Sequence, residues 1–499
     1  MTNRLIAAFC ALLCLSLAAP ATAGPWLDAG DRQARNDVEL LKSAGLMPGP
    51  VNAWPLSWRQ VDVGLRIARQ DTRPPHIEAA IARLEALSER ALQSRRVEAE
   101  VRLTTDPSLT RDFEDSAREN VDVSGKVEFD MGRLTVAVGG GYREGQDGSD
   151  FHAEESYAAL ALGEWALYGG YVERWWGPGQ DSALLFSNNA RPIPQIGITK
   201  LSADPIDFPV LRLLGPFKFD AFVGVLAEER QDFDNPVVMG FRAAFEPVRG
   251  LEIGVNRGLQ LCGEGRRCDA KIIGRALFPF GGAENTAGIS DDEPGNQLGG
   301  FDASYTFLAG GTGIKVYTEW EAEDEAGIFL LDRFVRLFGA TASGAIGDAG
   351  ANWQVNVEYT DTLLRAYFDA NDFLSGRPLR GRAYTNIIFT DGYTYRGHTI
   401  GASIGGDSDL LTVGGSYTDS TNHRYYAAFR MLDLNKTSVN EPSYRTRFRE
   451  KITFLTVGAL IPTYFGDISG ELRWRDDQPD TPGSAPSAIN AELSWRSRF

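Results

Sequence analysis

The segment from Trp165 to Ile198 holds the densest set of side chains that could recognise a ligand. It contains two adjacent tryptophans, a Gly-Pro-Gly turn and a polar run that ends in Arg-Pro-Ile-Pro. Indole rings stack on sugar faces, and Arg and Asn donate hydrogen bonds to hydroxyl and carboxylate groups. The candidates for this chemistry are Arg174, Trp175, Trp176, Asn188, Asn189 and Arg191. The same residues would suit a loop that folds into a barrel and plugs its lumen, so both interpretations stay open.

Catalytic chemistry has little support in the sequence. The chain has only four histidines, and a serine hydrolase needs a serine beside a histidine, with a third group to orient it. His398 and Ser403 are separated by an odd number of positions, and on a strand that spacing turns side chains to opposite faces. We therefore predict no catalytic residues.

Two cysteines and two acidic runs are the candidate metal ligands in the sequence. Cys262 and Cys268 bound a short Gly- and Arg-rich loop, and the two further soft ligands that a metal site needs do not lie nearby. In an exported protein such a pair predicts a disulfide. The acidic runs 319–325 and 291–294 lack the spacing of a calcium-binding loop, so we interpret them as solvated loop or lumen faces. We predict no metal and no cofactor.

The start of the chain predicts export. Arg4 precedes an apolar run from Leu5 to Ala19, and a small-x-small site ends at Ala23. This pattern predicts a signal peptide over residues 1–23, cleaved after Ala23. The net charge of −17 disfavours broad, non-specific binding to nucleic acid, so no nucleic-acid partner is expected.

The spacing of apolar residues along the chain changes near residue 96. Before that point, three segments, 31–45, 56–69 and 75–95, carry apolar residues at helical spacing and predict a small bundle. From 96 to 499 the apolar residues alternate with charged ones in runs typical of membrane-spanning strands. The predicted fold class is mainly β: a transmembrane antiparallel β-barrel of about 18 strands with a small N-terminal α-helical bundle. A soluble β-sandwich is the alternative.

Several motifs resemble those of the Wzi-type capsule-assembly outer-membrane proteins. The longest are Arg174–Gln180 and Leu184–Pro194, and weaker matches occur at 211–217, 317–324 and 392–409. The last of these adds Tyr393, Tyr395 and His398 to the candidates for polysaccharide contact or for the plug. The resemblance implies a periplasmic helical bundle, placed here at 24–95, and an outer-membrane barrel at 96–499. We place an internal loop plug around 174–217. The Cys262–Cys268 pair is not part of the family pattern.

The resemblance also implies a function. It implies a non-enzymatic, lectin-like protein in the outer membrane of a Gram-negative cell that binds or organises exported capsular polysaccharide or exopolysaccharide. The implied partners are this surface polysaccharide, outer-membrane lipid and the polysaccharide export machinery. An outer-membrane channel for small solutes is the alternative, and a membrane-bound hydrolase is the third and weakest hypothesis.

Overall fold

A computed structural model describes residues 24–145, 148–277, 295–323, 333–347, 349–367, 376–477 and 487–499 of the chain. The predicted signal peptide of residues 1–23 and the acidic run 291–294 lie outside these residues.

The wall of the molecule is a closed antiparallel β-barrel. Its strands are β1 (Arg95–Thr104), β2 (Val121–Asp130), β3 (Leu134–Gly145), β4 (Gly148–His152 and Tyr157–Leu162), β5 (Trp165–Tyr171), β6 (Pro194–Lys200), β7 (Phe217–Val225), β8 (Val237–Val248), β9 (Leu251–Leu261), β10 (Asn296–Ala309), β11 (Thr312–Glu323), β12 (Arg333–Ala345), β13 (Asn352–Ala366), β14 (Arg377–Pro378 and Asp409–Thr418), β15 (Arg424–Leu434), β16 (Glu450–Thr463), β17 (Gly466–Asp477) and β18 (Ile489–Arg498). The described residues thus form 18 strands, two of which are interrupted. β18 pairs with β1 and closes the sheet. The predicted fold class is confirmed.

The two-residue period of the sequence sorts side chains between the two faces of the wall. On β16, Leu455 and Val457 are exposed on the outer face, whereas Phe454 and Thr456 are buried toward the lumen. Outward apolar residues on other strands include Val138, Ile196, Val255, Phe338, Val413 and Leu472. An apolar outer face around a polar lumen is the pattern of a barrel that spans a membrane, because the outside must contact lipid.

The two ends of the barrel differ in the length of their connections. At one end, which we call the turn end, strands are joined by short turns such as 131–133, 249–250 and 310–311. β1 begins and β18 finishes at this end. At the other end, which we call the loop end, longer segments such as 105–120 and 226–236 join the strands.

Three helices occupy the turn end: α1 (Arg32–Ser43), α2 (Trp58–Ala68) and α3 (Pro75–Ala91). A fourth, α4 (Ala270–Leu277), lies at the loop end. As predicted, Asp31 caps α1, accepting a hydrogen bond from the backbone of Ala34. α3 ends before Arg95, the predicted limit, because Arg95 already pairs with Phe129 in the barrel wall. Among the described residues, we find no helix with the length and apolar character needed to cross a membrane.

Residues 172–193, which we call the plug, leave the wall between β5 and β6 and enter the lumen. The predicted plug range of 174–217 is too long at its C-terminal end. Residues 194–200 form β6, which pairs with both β5 and β7, and residues 201–216 connect two strands at the turn end. The sequence of β6 is short and nearly free of charge, so it lacks the alternation that identifies the other strands.

Candidate functional site

The plug and the N-terminal segment meet inside the barrel through aromatic side chains. Trp175 pairs with Trp54 across a two-residue antiparallel bridge, and both indoles are almost completely buried. Phe113, from the connection 105–120, packs edge-on against both, with ring centroids 5.2 Å from Trp54 and 5.6 Å from Trp175. Trp176 packs against Phe186 of the plug at 4.9 Å. The two candidate tryptophans therefore pack edge-on against other aromatic rings of the protein and are not exposed at a surface.

Carboxylates of the barrel wall hold the plug by its backbone. Glu358 of β13 accepts hydrogen bonds from the amides of Gln180 at 2.6 Å and Asp181 at 3.1 Å. Glu319 of β11 accepts one from the amide of Leu184 at 2.8 Å. A buried amide without a partner is costly, so each of these acceptors stabilises the position of the plug. The lumen face of the wall thus fixes the plug in place.

The sequence predicts solvated loop or lumen faces for the acidic run 319–325. In its described part, 319–323, the acidic side chains face the lumen but are buried and not solvated. Glu319 and Glu321 are fully buried, and Glu323 accepts a hydrogen bond from the amide of Tyr384. These side chains do face the lumen, but the plug and the connection that contains Tyr384 fill the space that water would occupy. The sequence shows which face they occupy and not what covers them.

Two arginines, Arg35 of α1 and Arg174 of the plug, make further contacts that hold the plug. Arg35 of α1 donates to the carbonyl oxygens of Pro178 and Gly179 at 2.9 and 2.8 Å. Arg174 lies over the ring of Phe222, 4.0 Å from its centroid, and bonds to Gln195 of β6. Arg174 is buried, so this candidate also has a role inside the protein.

The second half of the plug is tied to two loop-end connections. The side-chain amide of Asn188 donates to the carbonyl of Asp112 at 2.9 Å, and that of Asn189 donates to the carbonyl of Thr399 at 2.8 Å. Tyr393 is fully buried, and its ring stacks on that of Tyr384 at 6.4 Å. Six candidates, Arg174, Trp175, Trp176, Asn188, Asn189 and Tyr393, are thus buried in or against the plug.

The remaining candidates, Arg191, Tyr395 and His398, lie at the loop end together with Asp150 and Arg396. We call these five residues the mouth cluster. Asp150 is shared by two arginines, with Arg191 at 3.0 Å and Arg396 at 3.4 Å. The guanidinium of Arg396 lies 5.6 Å from the ring centre of Tyr395 and is well exposed. Sequence reasoning missed Arg396 and Asp150, although Arg396 lies inside a motif that it quoted.

His398 of the mouth cluster is neutral at ordinary pH. Its Nδ1 lies 3.2 Å from the guanidinium of Arg445. Burial, and then the positive charge of Arg445, lower the pKa of His398 to about 3. Ser403 is buried, and its hydroxyl has no hydrogen-bond partner in the part of the chain that the structure describes. The two residues are therefore not hydrogen-bonded as a nucleophile and its base would be.

Two cavities remain between the plug and the wall. One, of about 220 Å³, runs along β1 and β2, and the other, of about 110 Å³, faces β15 and β17. Asp115 lines both. Ion pairs cross them, including Arg496 with Glu100 at 3.0 Å in the first. Both are smaller than ordinary binding sites for small molecules.

Arginines that face the lumen from the wall are paired with acids. Arg242 contacts Asp302 at 2.6 Å, and Arg473 lies 3.5 Å from Glu492. Within the described ranges, no group of three or more His, Cys, Asp or Glu residues is arranged to hold a metal ion.

The family model described as capsule assembly protein Wzi matches residues 93–470. The chain belongs to the Wzi family. A Klebsiella pneumoniae relative, an uncharacterized 55.8 kDa protein of the cps region, is 27% identical over 348 residues; the match covers 67% of this chain and 65% of that relative. The structure of Escherichia coli Wzi, described as a carbohydrate-binding β-barrel involved in group 1 capsule assembly, is 21% identical. It aligns over 95% of this chain and 99% of its own with a TM-score of 0.80.

The motifs that suggested the Wzi family are those that build and hold the plug. The segment Arg174–Gln180 meets the helices, and Leu184–Pro194 meets the loop-end connections. The motif 317–324 provides Glu319. The strongest resemblance therefore falls where the closed lumen needs specific contacts.

The predicted disulfide between Cys262 and Cys268 is confirmed. Between the two cysteines, Arg266 lies over the rings of Phe233 and Phe389, 5.6 Å from each centroid. The disulfide loop is thus packed against two other loop-end connections of this Wzi-family barrel.

Proposed function

We propose that this chain binds or organises an exported capsular polysaccharide or exopolysaccharide at the cell surface, without catalysing a reaction on it. The observation that carries the proposal is the closed lumen: the plug is held by wall carboxylates and by the helices, so exposed polar groups remain at the ends. The carbohydrate binding stated for E. coli Wzi supports the same function for a chain with its fold and family.

We further propose that the loop end faces the outside and the turn end faces the periplasm. Outer-membrane barrels have short periplasmic turns and longer extracellular loops, and this chain shows the same asymmetry. In this orientation the helices α1 to α3 are periplasmic. A signal peptide cleaved after Ala23 would deliver the chain to the outer membrane. The export machinery for the polysaccharide would then approach the turn end.

The mouth cluster supplies chemistry suited to a polysaccharide. Arg396 is exposed and offers donors for hydroxyl or carboxylate groups, and Asp150 holds it beside Arg191. The buried ring of Tyr395 lies 5.6 Å from the guanidinium of Arg396. His398 is neutral and accepts from Arg445 through Nδ1, so it offers its Nε2 hydrogen as a donor. A few such contacts give weak binding at each repeat unit, and a repeating polymer converts weak contacts into retention through avidity.

The proposal is tested by gel retardation of the purified protein, in detergent, by its purified surface polysaccharide. We expect retardation of the wild-type chain and at least a fivefold weaker effect for Arg396→Ala. Arg212→Ala, an exposed arginine at the turn end, is the matched control and is expected to behave as wild type. If the wild-type chain is not retarded, and a deletion strain retains its polymer, the proposed function is wrong.

A further inference from the structure

A row of charged residues crosses five neighbouring strands on the outer face of the barrel near the loop end. Strand register places Arg336 opposite Asp361, Asp361 opposite Asp409, Asp409 opposite Asp433, and Asp433 opposite Lys451. We call these five residues the charged row. Because side chains alternate along a strand, each shares its face with the residue two positions away.

The residues two positions nearer the turn end are mostly apolar and lipid-facing. They are Phe338, Tyr359, Leu411, Met431 and Thr453, and the register joins them into a parallel row. Phe338, Leu411 and Met431 are exposed on the outer face. Two residues of a strand span about 7 Å, so the charged row lies where the hydrocarbon of a membrane gives way to its headgroups.

Three cations surround the carboxylate of Asp361. Asp361 receives Arg336 at 3.3 Å, Arg365 at 3.1 Å and Lys436 at 3.4 Å.

The other two carboxylates of the row are also bound by cations. Lys436 also contacts Asp409 at 2.6 Å, and Arg449 donates to Asp433 at 2.8 Å. Lys451 is exposed and forms no ion pair with any described residue. With Lys451, five cationic side chains lie around the three carboxylates of the row.

Arg449 and Lys451 are the members of this group that solvent or lipid can reach. The side chain of Arg449 is 44% exposed, whereas Asp361 is fully buried beneath its three cations. The buried carboxylate holds Arg336, Arg365 and Lys436 together, and the exposed cations lie beside them. An arrangement of guanidinium and ammonium groups over an apolar surface suits a phosphate group whose lipid chains lie below it.

We propose that the charged row binds the phosphate-bearing headgroup of an anionic lipid in the membrane leaflet at the loop end. The phosphate contacts Arg449 and Lys451, and the acyl chains lie against Leu411 and Met431. The occupant is a lipid and not free phosphate, because the row continues the lipid-facing surface without a break. This inference does not depend on polysaccharide binding.

The experiment uses the full chain, purified and delipidated in dodecyl maltoside, with phosphatidylglycerol as the probe. Native mass spectrometry counts the lipids retained after dilution, with phosphatidylcholine and inorganic phosphate as comparison ligands. We expect phosphatidylglycerol to be retained at least tenfold more than phosphatidylcholine. The variant Arg449→Ala/Lys451→Ala is expected to lose most of this preference, and Arg212→Ala is expected to keep it.

Three results would overturn the proposal: equal retention of the two lipids, an unchanged preference in the double variant, or complete displacement of the lipid by millimolar inorganic phosphate. Folding of each variant is checked by its heat-dependent migration in a detergent gel. Should the double variant fail to fold, Lys451→Gln alone is expected to reduce the preference at least threefold, since Lys451 makes no ion pair with a described residue. An unchanged preference in that variant would equally contradict the proposal.

Discussion

Glu39 is the residue at which the helices, the plug and the wall meet. Its carboxylate accepts from Lys315 of β11 at 2.9 Å, from Arg35 at 3.2 Å and from the side chain of Gln180 in the plug. Burial alone would raise the pKa of Glu39, but the two cations outweigh it and hold the pKa at about 2. One side chain thus links three parts of the molecule that are far apart in sequence.

The pKa of Glu39 predicts acid sensitivity at this junction. A carboxylate whose pKa is lower in the folded chain than its ordinary 4.5 stabilises the fold above that pH, and the stabilisation is lost as pH falls toward 2. We expect tryptophan fluorescence, which reports on Trp54 and Trp175, to change over this range. In Glu39→Gln the change should be smaller, and the variant should be destabilised by about 3 kcal/mol because two buried cations lose their partner. Glu89→Gln, on an exposed part of α3, is the control.

The state of His398 predicts a pH-independent interaction. Because its pKa is lowered to about 3, His398 stays neutral between pH 5 and 8 and carries no charge change across that range. If the mouth cluster binds polysaccharide, gel retardation should vary less than twofold between these values. A steep increase in gel retardation toward pH 5 would show that the polymer contacts a group in its charged form. That group would be His398 or another that gains a proton there.

At the scale of elements, the plug decides whether the barrel conducts ions. Removing the acceptors for its backbone amides leaves buried donors unpaired and loosens its attachment to the wall. In planar bilayers we expect the wild-type chain to be silent and Glu319→Ala/Glu358→Ala to show intermittent conductance. Glu85→Ala, on α3, is the control. Steady conductance by the wild-type chain would favour the channel hypothesis instead.

The disulfide loop is a second element whose role can be measured. Reduction of Cys262–Cys268 frees a segment that contains two adjacent arginines, Arg266 and Arg267, of which Arg267 is exposed. We expect trypsin to cleave there several times faster after reduction, while the barrel keeps its heat-dependent gel migration. An unchanged cleavage rate would mean that the packing of Arg266 on Phe233 and Phe389 is sufficient to hold the loop.

Elements with a strong local pattern could be predicted, and contacts between distant elements could not. The strand period and the cap at Asp31 are properties of neighbouring residues, so the barrel and the helices could be predicted from the sequence. The role of Glu319 depends on a plug that approaches from residue 184, and nothing near Glu319 in the sequence indicates this. The short strand β6 was missed because its seven residues carry almost no charge.

The candidate site was predicted in its residues more than in their roles. Trp175 and Trp176 were recognised as important, but their chemistry allowed both a sugar platform and a plug. The pairing of Trp175 with Trp54 and its packing on Phe113 join segments more than sixty positions apart, beyond any local pattern. Arg396 was overlooked because Asp150, its partner, is in a different part of the chain.

At the scale of the whole molecule, the net charge is negative, whereas some exposed patches are positive. The chain carries −17 overall, yet lumen arginines such as Arg242 are paired with neighbouring acids, and the outer face near the loop end exposes Arg449 and Lys451. Binding to an acidic polymer or lipid would therefore depend on a few exposed side chains and would weaken with added salt.

The bridge between Trp54 and Trp175 has a consequence for the order of assembly. Residues 24–94 are synthesised before any strand of the wall, but the surfaces that receive them belong to the plug and to β11, which are made later. Wall closure in turn requires β18, the last strand, to reach β1. The N-terminal segment therefore has no docking partner until the plug and β11 have been made, and it must be kept from premature association until then.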